Sequence, residues 1–191
     1  MAQRRRSLSA IEGRILVASP LIVRAEYHHA VILITNVDKY KNIQGLILNR
    51  PTNTDVSEIS VELSNFDFLV RDGGPHDKDE LFIVHTMGSA LPDSKPLFPG
   101  VYTDGDLDEL SSWLMIKQVD LSELLFVSGF CKFTAAEFAA EIDRQEWYVT
   151  DGTMDIVFSD RPTELWHELV ASFGKYIRIV ADNATRLSIN N

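Results

Sequence analysis

A chain of 191 residues, 45% hydrophobic and 24% charged, has the composition of an ordinary soluble globular protein and is long enough for one sizeable core. Its formal net charge of −10, from 28 Asp and Glu against 18 Lys and Arg, disfavours DNA as a direct partner, because affinity for that polyanion rests on Lys and Arg contacts to phosphate. The basic cluster Arg4-Arg5-Arg6 falls in a polar stretch, residues 1–10, that reads as a disordered, solvated tail.

Cys131 is the sole cysteine, so no intramolecular disulfide can form and a reducing compartment is expected. The N-terminus lacks the apolar h-region of a signal peptide. No apolar run approaches the roughly 20 residues that span a bilayer. A cytoplasmic protein is the expectation.

In chain order, residues 15–18 and 30–35 are short apolar runs that predict two strands, the second rich in β-branched residues. A polar connection over 36–42 leads to a third strand over 45–49, and an antiparallel hairpin joins the second and third. That third run, Gly45-Leu46-Ile47-Leu48-Asn49-Arg50-Pro51-Thr52, is the most informative in the chain. Pro51 has no N–H to continue a central ladder, so the strand should stop near Arg50 and present Asn49 and Arg50 at one fixed corner. After it, Thr54 or Asp55 can cap a helix with Val56, Ile59 and Leu63 on one face. Residues 68–70 predict a strand running into the turn Asp72-Gly73-Gly74-Pro75, and 81–85 the next strand, ending at His85. Residues 86–99 carry Gly88 and three prolines and read as irregular.

A short strand is predicted over 100–103. A helix follows, with Asp106 and Glu109 as a capping box and Leu107, Leu110, Trp113 and Leu114 as its apolar face. Residues 124–127 predict a buried strand ended by Gly129. Thr134 and Glu137 make a second capping box, opening a helix to about residue 146. Residues 147–149 and 156–158 flank Asp151-Gly152 and suggest a hairpin. Pro162 suits the first turn of a last helix, whose stripe of Leu165, Trp166, Leu169, Val170 and Phe173 ends at Gly174. Residues 176–180 could form an edge strand. Strands interleave with about four helices without a strict βαβ rhythm, which argues for a mixed α/β or α+β sheet. One domain is expected over 11–180, with a polar tail over 181–191.

The ordered set Gly13-Arg14-Ile15-Leu16-Val17-Ala18-Ser19-Pro20, Gly45 to Thr52, Gly73-Gly74-Pro75, Leu81 to Thr86, Pro99-Gly100-Val101-Tyr102, Phe126-Val127-Ser128-Gly129-Phe130, Ala140-Glu141-Ile142 and Trp147 resembles the AlgH/YqgE family of small bacterial proteins. The resemblance covers about residues 13–174. It implies a single compact α/β domain with a mixed, strongly curved sheet surrounded by helices, no known cofactor and no established reaction. One branch of the family is named as a transcriptional regulator, a label that defines no biochemical activity. Here Cys131-Lys132-Phe133-Thr134 stands where the family usually has a small residue, a Gly-Trp pair and a Gly-Gln-Leu helix start.

Asn49, Arg50, Gly73 and Gly74 form the leading candidate site. Paired glycines can turn backbone N–H groups toward a ligand, and Arg offers a bidentate fork to carboxylate or phosphate. The same residues also suit a structural corner, with Asn49 pinning a turn and Arg50 paired with an acid. His85 is the histidine best placed as an acid or base, although a satisfied core histidine is the favoured reading. The five histidines lack a zinc spacing, so no metal site is expected. Cys131, between aromatic residues, reads as a buried small hydrophobe. Two readings of function follow: a regulatory or interaction protein with a protein or small anionic partner, or an enzyme on an anionic substrate at the Arg50 cleft.

Overall fold

The computed structural model describes residues 11–174. The expected tails and the strand over 176–180 lie outside the described residues. The first strand, β1 (Arg14–Ala18), is buried from Ile15 to Ala18 and lies between β2 (Val31–Val37) and β10 (Trp147–Asp151), antiparallel to both. Burial on both faces explains why its residues are uniformly apolar rather than alternating. β2 returns through the expected antiparallel hairpin to β3 (Ile43–Ile47).

From there the chain departs from the expected helix. Pro51 opens a short strand, β4 (Pro51–Asp55), antiparallel to β5 (Leu69–Asp72). A proline is tolerated as the first residue of a strand. Thr52 and Thr54 are β-branched; the Thr52 hydroxyl donates to the Val70 carbonyl at 2.7 Å, and the chain stays extended. Only a single 3-10 turn, Val56–Glu58, follows. The Glu58 carboxylate caps it by accepting from the Asp55 N–H at 2.9 Å. Val56 and Leu63 are still buried, Val56 on this turn and Leu63 on a separate turn after it, and not on one helix.

β6 (His76–His85) is longer than expected, and the stretch read as irregular contains β7 (Lys95–Phe98), antiparallel to β8 (Val101–Thr103). The largest revision concerns β9 (Leu124–Phe133). Gly129 does not end it; with φ at +71° it bends the strand and lets it continue. The predicted hairpin after residue 147 is also absent, because β10 pairs with β1. Residues 156–158 fall instead on α3 (Met154–Val157) and its end.

Among the described residues the elements are ten strands and four α-helices, in a mixed α+β domain with a strongly curved half-barrel sheet. The pairing is antiparallel except between β5 and β9, which run parallel. α1 (Leu107–Met115) starts at Asp106, which accepts from the Glu109 N–H at 3.0 Å. The Glu109 carboxylate turns outward to the Trp113 indole N–H at 2.7 Å, so the expected box is only half made. α2 (Ala135–Asp143) has the full reciprocal box between Thr134 and Glu137. α4 (Pro162–Ser172) lies against β1, and the Trp166 indole donates to the Ala18 carbonyl at 2.8 Å.

The apolar side chains divide into two clusters. One joins β1, β2 and β3 to α2 and α4 through Phe133, Phe138, Leu165 and Trp166. The other joins Val70, Ile83 and Phe126 to Leu110 and Leu114 of α1. Between them the Gly73–Gly74 backbone presses on β9. A Cβ at Gly73 would lie 2.2 Å from the Gly129 carbonyl oxygen, and one at Gly74 2.3 Å from the Phe130 carbonyl carbon. Gly73→Ala is therefore expected to cost about 3 kcal/mol, the upper end for overpacking, because the obstacle is backbone and cannot rotate away. A urea unfolding midpoint equal to that of the unsubstituted protein would show that these strands separate freely.

Candidate functional site

The end of β3 forms the expected corner. The Asn49 side chain works as a piece of ladder: Oδ1 accepts from the Val31 N–H and Nδ2 donates to the His29 carbonyl, both at 2.8 Å. It thereby fixes the start of β2. Arg50 finds no carboxylate at hydrogen-bond distance among the described residues. One terminal nitrogen donates to the Glu26 carbonyl at 2.6 Å and to the His28 carbonyl at 3.5 Å.

Gly73 and Gly74 do stand beside this corner, since the Ile47 N–H donates to the Gly73 carbonyl and the Asp72 N–H to the Arg50 carbonyl, both at 2.9 Å. Their own amides are engaged within the fold. Gly73 donates to the Ser128 carbonyl at 2.8 Å and Gly74 to Asp72 Oδ1 at 3.1 Å. Asp72 is in turn ion-paired with Lys78. Of the five residues proposed from sequence, four thus share one corner.

His85 does not join them. It opposes Leu124 on β9, five residues from Gly129, which is roughly 17 Å along an extended strand. The ring is fully buried. The Met87 N–H donates to Nδ1 at 3.2 Å, so the proton sits on Nε2, which donates to the Asp104 carbonyl at 2.9 Å. This is a satisfied neutral imidazole. Burial lowers its pKa, more than the Asp104 carbonyl and carboxylate raise it. Cys131 is also fully buried, its thiol pushed up to about 12 chiefly by desolvation, and it donates weakly to the Gly73 carbonyl. Among the described residues no group of three or more His, Cys, Asp or Glu is placed to hold a metal ion. No helix there is long and apolar enough to cross a membrane.

The sequence reading passed over Arg71, which sits directly across the ladder from Pro51. Its terminal nitrogens donate to the Leu48 carbonyl at 2.6 Å and the Ser159 carbonyl at 3.2 Å. Burial lowers its pKa, but a guanidinium stays charged at any ordinary pH. Arg14, Arg24, Arg144 and Arg161 each have a carboxylate partner, and Arg71 has none among the described residues. Arg71 forms part of the wall of a cleft of about 390 Å³, between β5, the start of β9 and the approach to α4. The signal was present in the sequence: Arg71, like Arg50, ends an apolar run immediately before a turn.

The fold places the chain in a class of one-domain α+β proteins with a curved half-barrel sheet. Residues 15–178 match the AlgH-like family model, and the chain belongs to that family. A UPF0301 protein of Chlorobium chlorochromatii is 27% identical over 171 residues, which cover 90% of each chain. Protein DIP2367 of Corynebacterium diphtheriae has a similar fold at a TM-score of 0.73, with 16% identity and 94% of each chain covered. The AlgH protein of Pseudomonas aeruginosa, solved in solution, matches at 0.70, with 19% identity over 95% of this chain and 97% of that one.

Two expectations follow from the geometry. Asn49→Ala is expected to lower stability by about 1–3 kcal/mol, because it leaves the Val31 N–H and His29 carbonyl without their partner. An unchanged urea midpoint would contradict that role. The second concerns pH. Unfolded His85 takes up a proton near its ordinary value of 6.5, whereas the buried ring resists it. Stability is therefore full above that pH and falls as pH drops below it. His29, shifted the same way by burial and by His167, adds to the fall. His85→Gln should flatten the dependence of unfolding free energy on pH between 7 and 5, and an unflattened slope would rule the assignment out.

Proposed function

We propose that this is a regulatory or interaction protein that works by binding in the cytoplasm, and that an anionic group on its small-molecule or protein partner docks at the Arg71 cleft. The observation that carries this is the state of Arg71. Among the described residues its half-buried guanidinium is bonded only to carbonyls, in the wall of a cleft large enough for a ligand. A cation held out of water without a counter-ion gains from an incoming anion. This keeps the anion expected from the sequence and moves it from Arg50 to Arg71, which faces Pro51 across the ladder. The net charge of −10 favours a protein or small molecule over a nucleic acid. The one described thiol is buried, which suits a reducing compartment.

Thermal unfolding in acetate, sulfate or phosphate, each compared with chloride at equal ionic strength, tests the reading. A bound anion at about 100 times its dissociation constant stabilises by about 2.7 kcal/mol, a rise of a few degrees in Tm for a chain of this size. The rise should vanish in Arg71→Met and persist in Arg50→Ala. Equal rises in both variants, or none in the unsubstituted protein, would refute the Arg71 site.

A further inference from the structure

Resting on the reading above, we infer that the occupant of the Arg71 cleft is a small monocarboxylate with an apolar, aromatic body. Three features of the cleft set this chemistry. The first is the cation. Two of the five N–H groups of the guanidinium donate to Leu48 and Ser159, and the other three have no acceptor among the described residues. A planar fork of that kind matches the two oxygens of a carboxylate.

The second is the wall. Phe66, Phe68 and Phe126 stack in a row, with centroids 5.5 and 5.7 Å apart and nearly parallel planes. Phe68 and Phe126 of that row line the cleft. Leu69 and Leu121 also line it, yet are 59% and 50% exposed, so apolar surface is left uncovered beside the cation. An aromatic ring against Leu69, Leu121 and the partly exposed Phe68 would remove that surface from water.

The third is the rim. Asp67 and Asp160 line the cleft and are exposed. The two rim carboxylates raise the cost of each negative charge a ligand brings, so they oppose a doubly charged ligand about twice as strongly as a singly charged one. That selects a carboxylate over a phosphate. The volume, near the lower end of the ~300–1,000 Å³ usual for ligand sites, selects a compact body.

The experiment is an amide-resolved NMR titration of the full chain at pH 7 and constant ionic strength. The probes are 3-phenylpropanoate, its uncharged amide 3-phenylpropanamide, and inorganic phosphate. The carboxylate should shift the amides of Phe68, Leu69 and Leu124 to Phe126, and Arg71→Met should weaken it roughly 10- to 100-fold, the factor for a lost charge-assisted hydrogen bond. The uncharged amide should bind more weakly by a similar factor and be indifferent to Arg71→Met. Because Arg71 also ties Leu48 to Ser159, a second variant leaves it intact: Leu69→Glu adds a negative charge at an exposed site. It should weaken the carboxylate and spare the amide. Phosphate binding as tightly as the carboxylate, lost in Arg71→Met, would keep the anion site and overturn the monocarboxylate. Equal affinity of acid and amide would overturn the role of charge. No shift in the cleft with any probe would overturn both this inference and the anion site.

Discussion

The structure depends on one close contact, the Gly73–Gly74 backbone laid directly on the backbone of β9. A strand has two edges. One edge of β9 is taken by β6. The other is shared: β5 runs parallel to it at Val127 and Ser128, and β3 runs antiparallel to it from Cys131 to Phe133. The exchange of partners falls at Gly129. There the left-handed backbone bends the strand, and the missing side chains of Gly73 and Gly74 let the crossing segment pass without spreading the sheet. The Gly73 carbonyl accepts from Ile47 while its amide donates to Ser128, so β3, β5 and β9 are tied through one residue. The curvature of the sheet and its single parallel pairing both originate at this point.

The same exchange produces the polar corner. Where β3 leaves β9, its backbone loses ladder partners, and a buried polar group without a partner is costly. The Asn49 side chain supplies partners to residues 29 and 31 at the start of β2, and the Arg50 carbonyl accepts from Asp72. Pro51 then needs no partner for an N–H it lacks. The two arginines that flank this turn diverge. Arg50 reaches the carbonyls of residues 26 and 28 and Arg71 those of residues 48 and 159. Each crosses to a different segment, and only Arg71 does so in the wall of the cleft.

Local signals in the sequence were readable wherever local physics decides the outcome. The apolar runs of β1 and β2, the Thr134–Glu137 box and the stripe of α4 all depend on neighbours within a few residues. The turn at Gly73 was visible for the same reason, because two glycines before a proline can hardly be anything else. The failures were nonlocal. Gly129 looked like a strand end because a glycine usually weakens one, and nothing nearby reveals that Gly73 must pass over it. Residues 56, 59 and 63 have helical spacing, yet tertiary pairing of Thr52 and Thr54 with β5 holds the chain extended up to a single turn. Residues 147–149 look like half of a hairpin until β1, more than a hundred residues earlier, takes their edge. The polar corner was legible as a place and not as a set of roles, since the acceptors of Asn49 and Arg50 lie about twenty residues upstream.

Arg71 was missed for a related reason, and what distinguishes it is its context. In a chain with 28 acidic residues, an arginine without a carboxylate is easily satisfied by carbonyls and water, and Arg50, whose bonds to the Glu26 and His28 carbonyls are exposed, is of that kind. A half-buried one is different, because burial removes the water that would otherwise solvate the charge. Lys78, Lys95 and four other described arginines have found acids in this fold. Asp67 and Asp160 border the same cleft as Arg71, yet neither pairs with it. An arginine needed only to tie Leu48 to Ser159 would be better stabilised by closing on one of those carboxylates. Keeping them apart leaves a fork of N–H groups without an acceptor among the described residues beside a partly exposed apolar wall, a pairing of charge and apolar surface that a ligand with both features would complete.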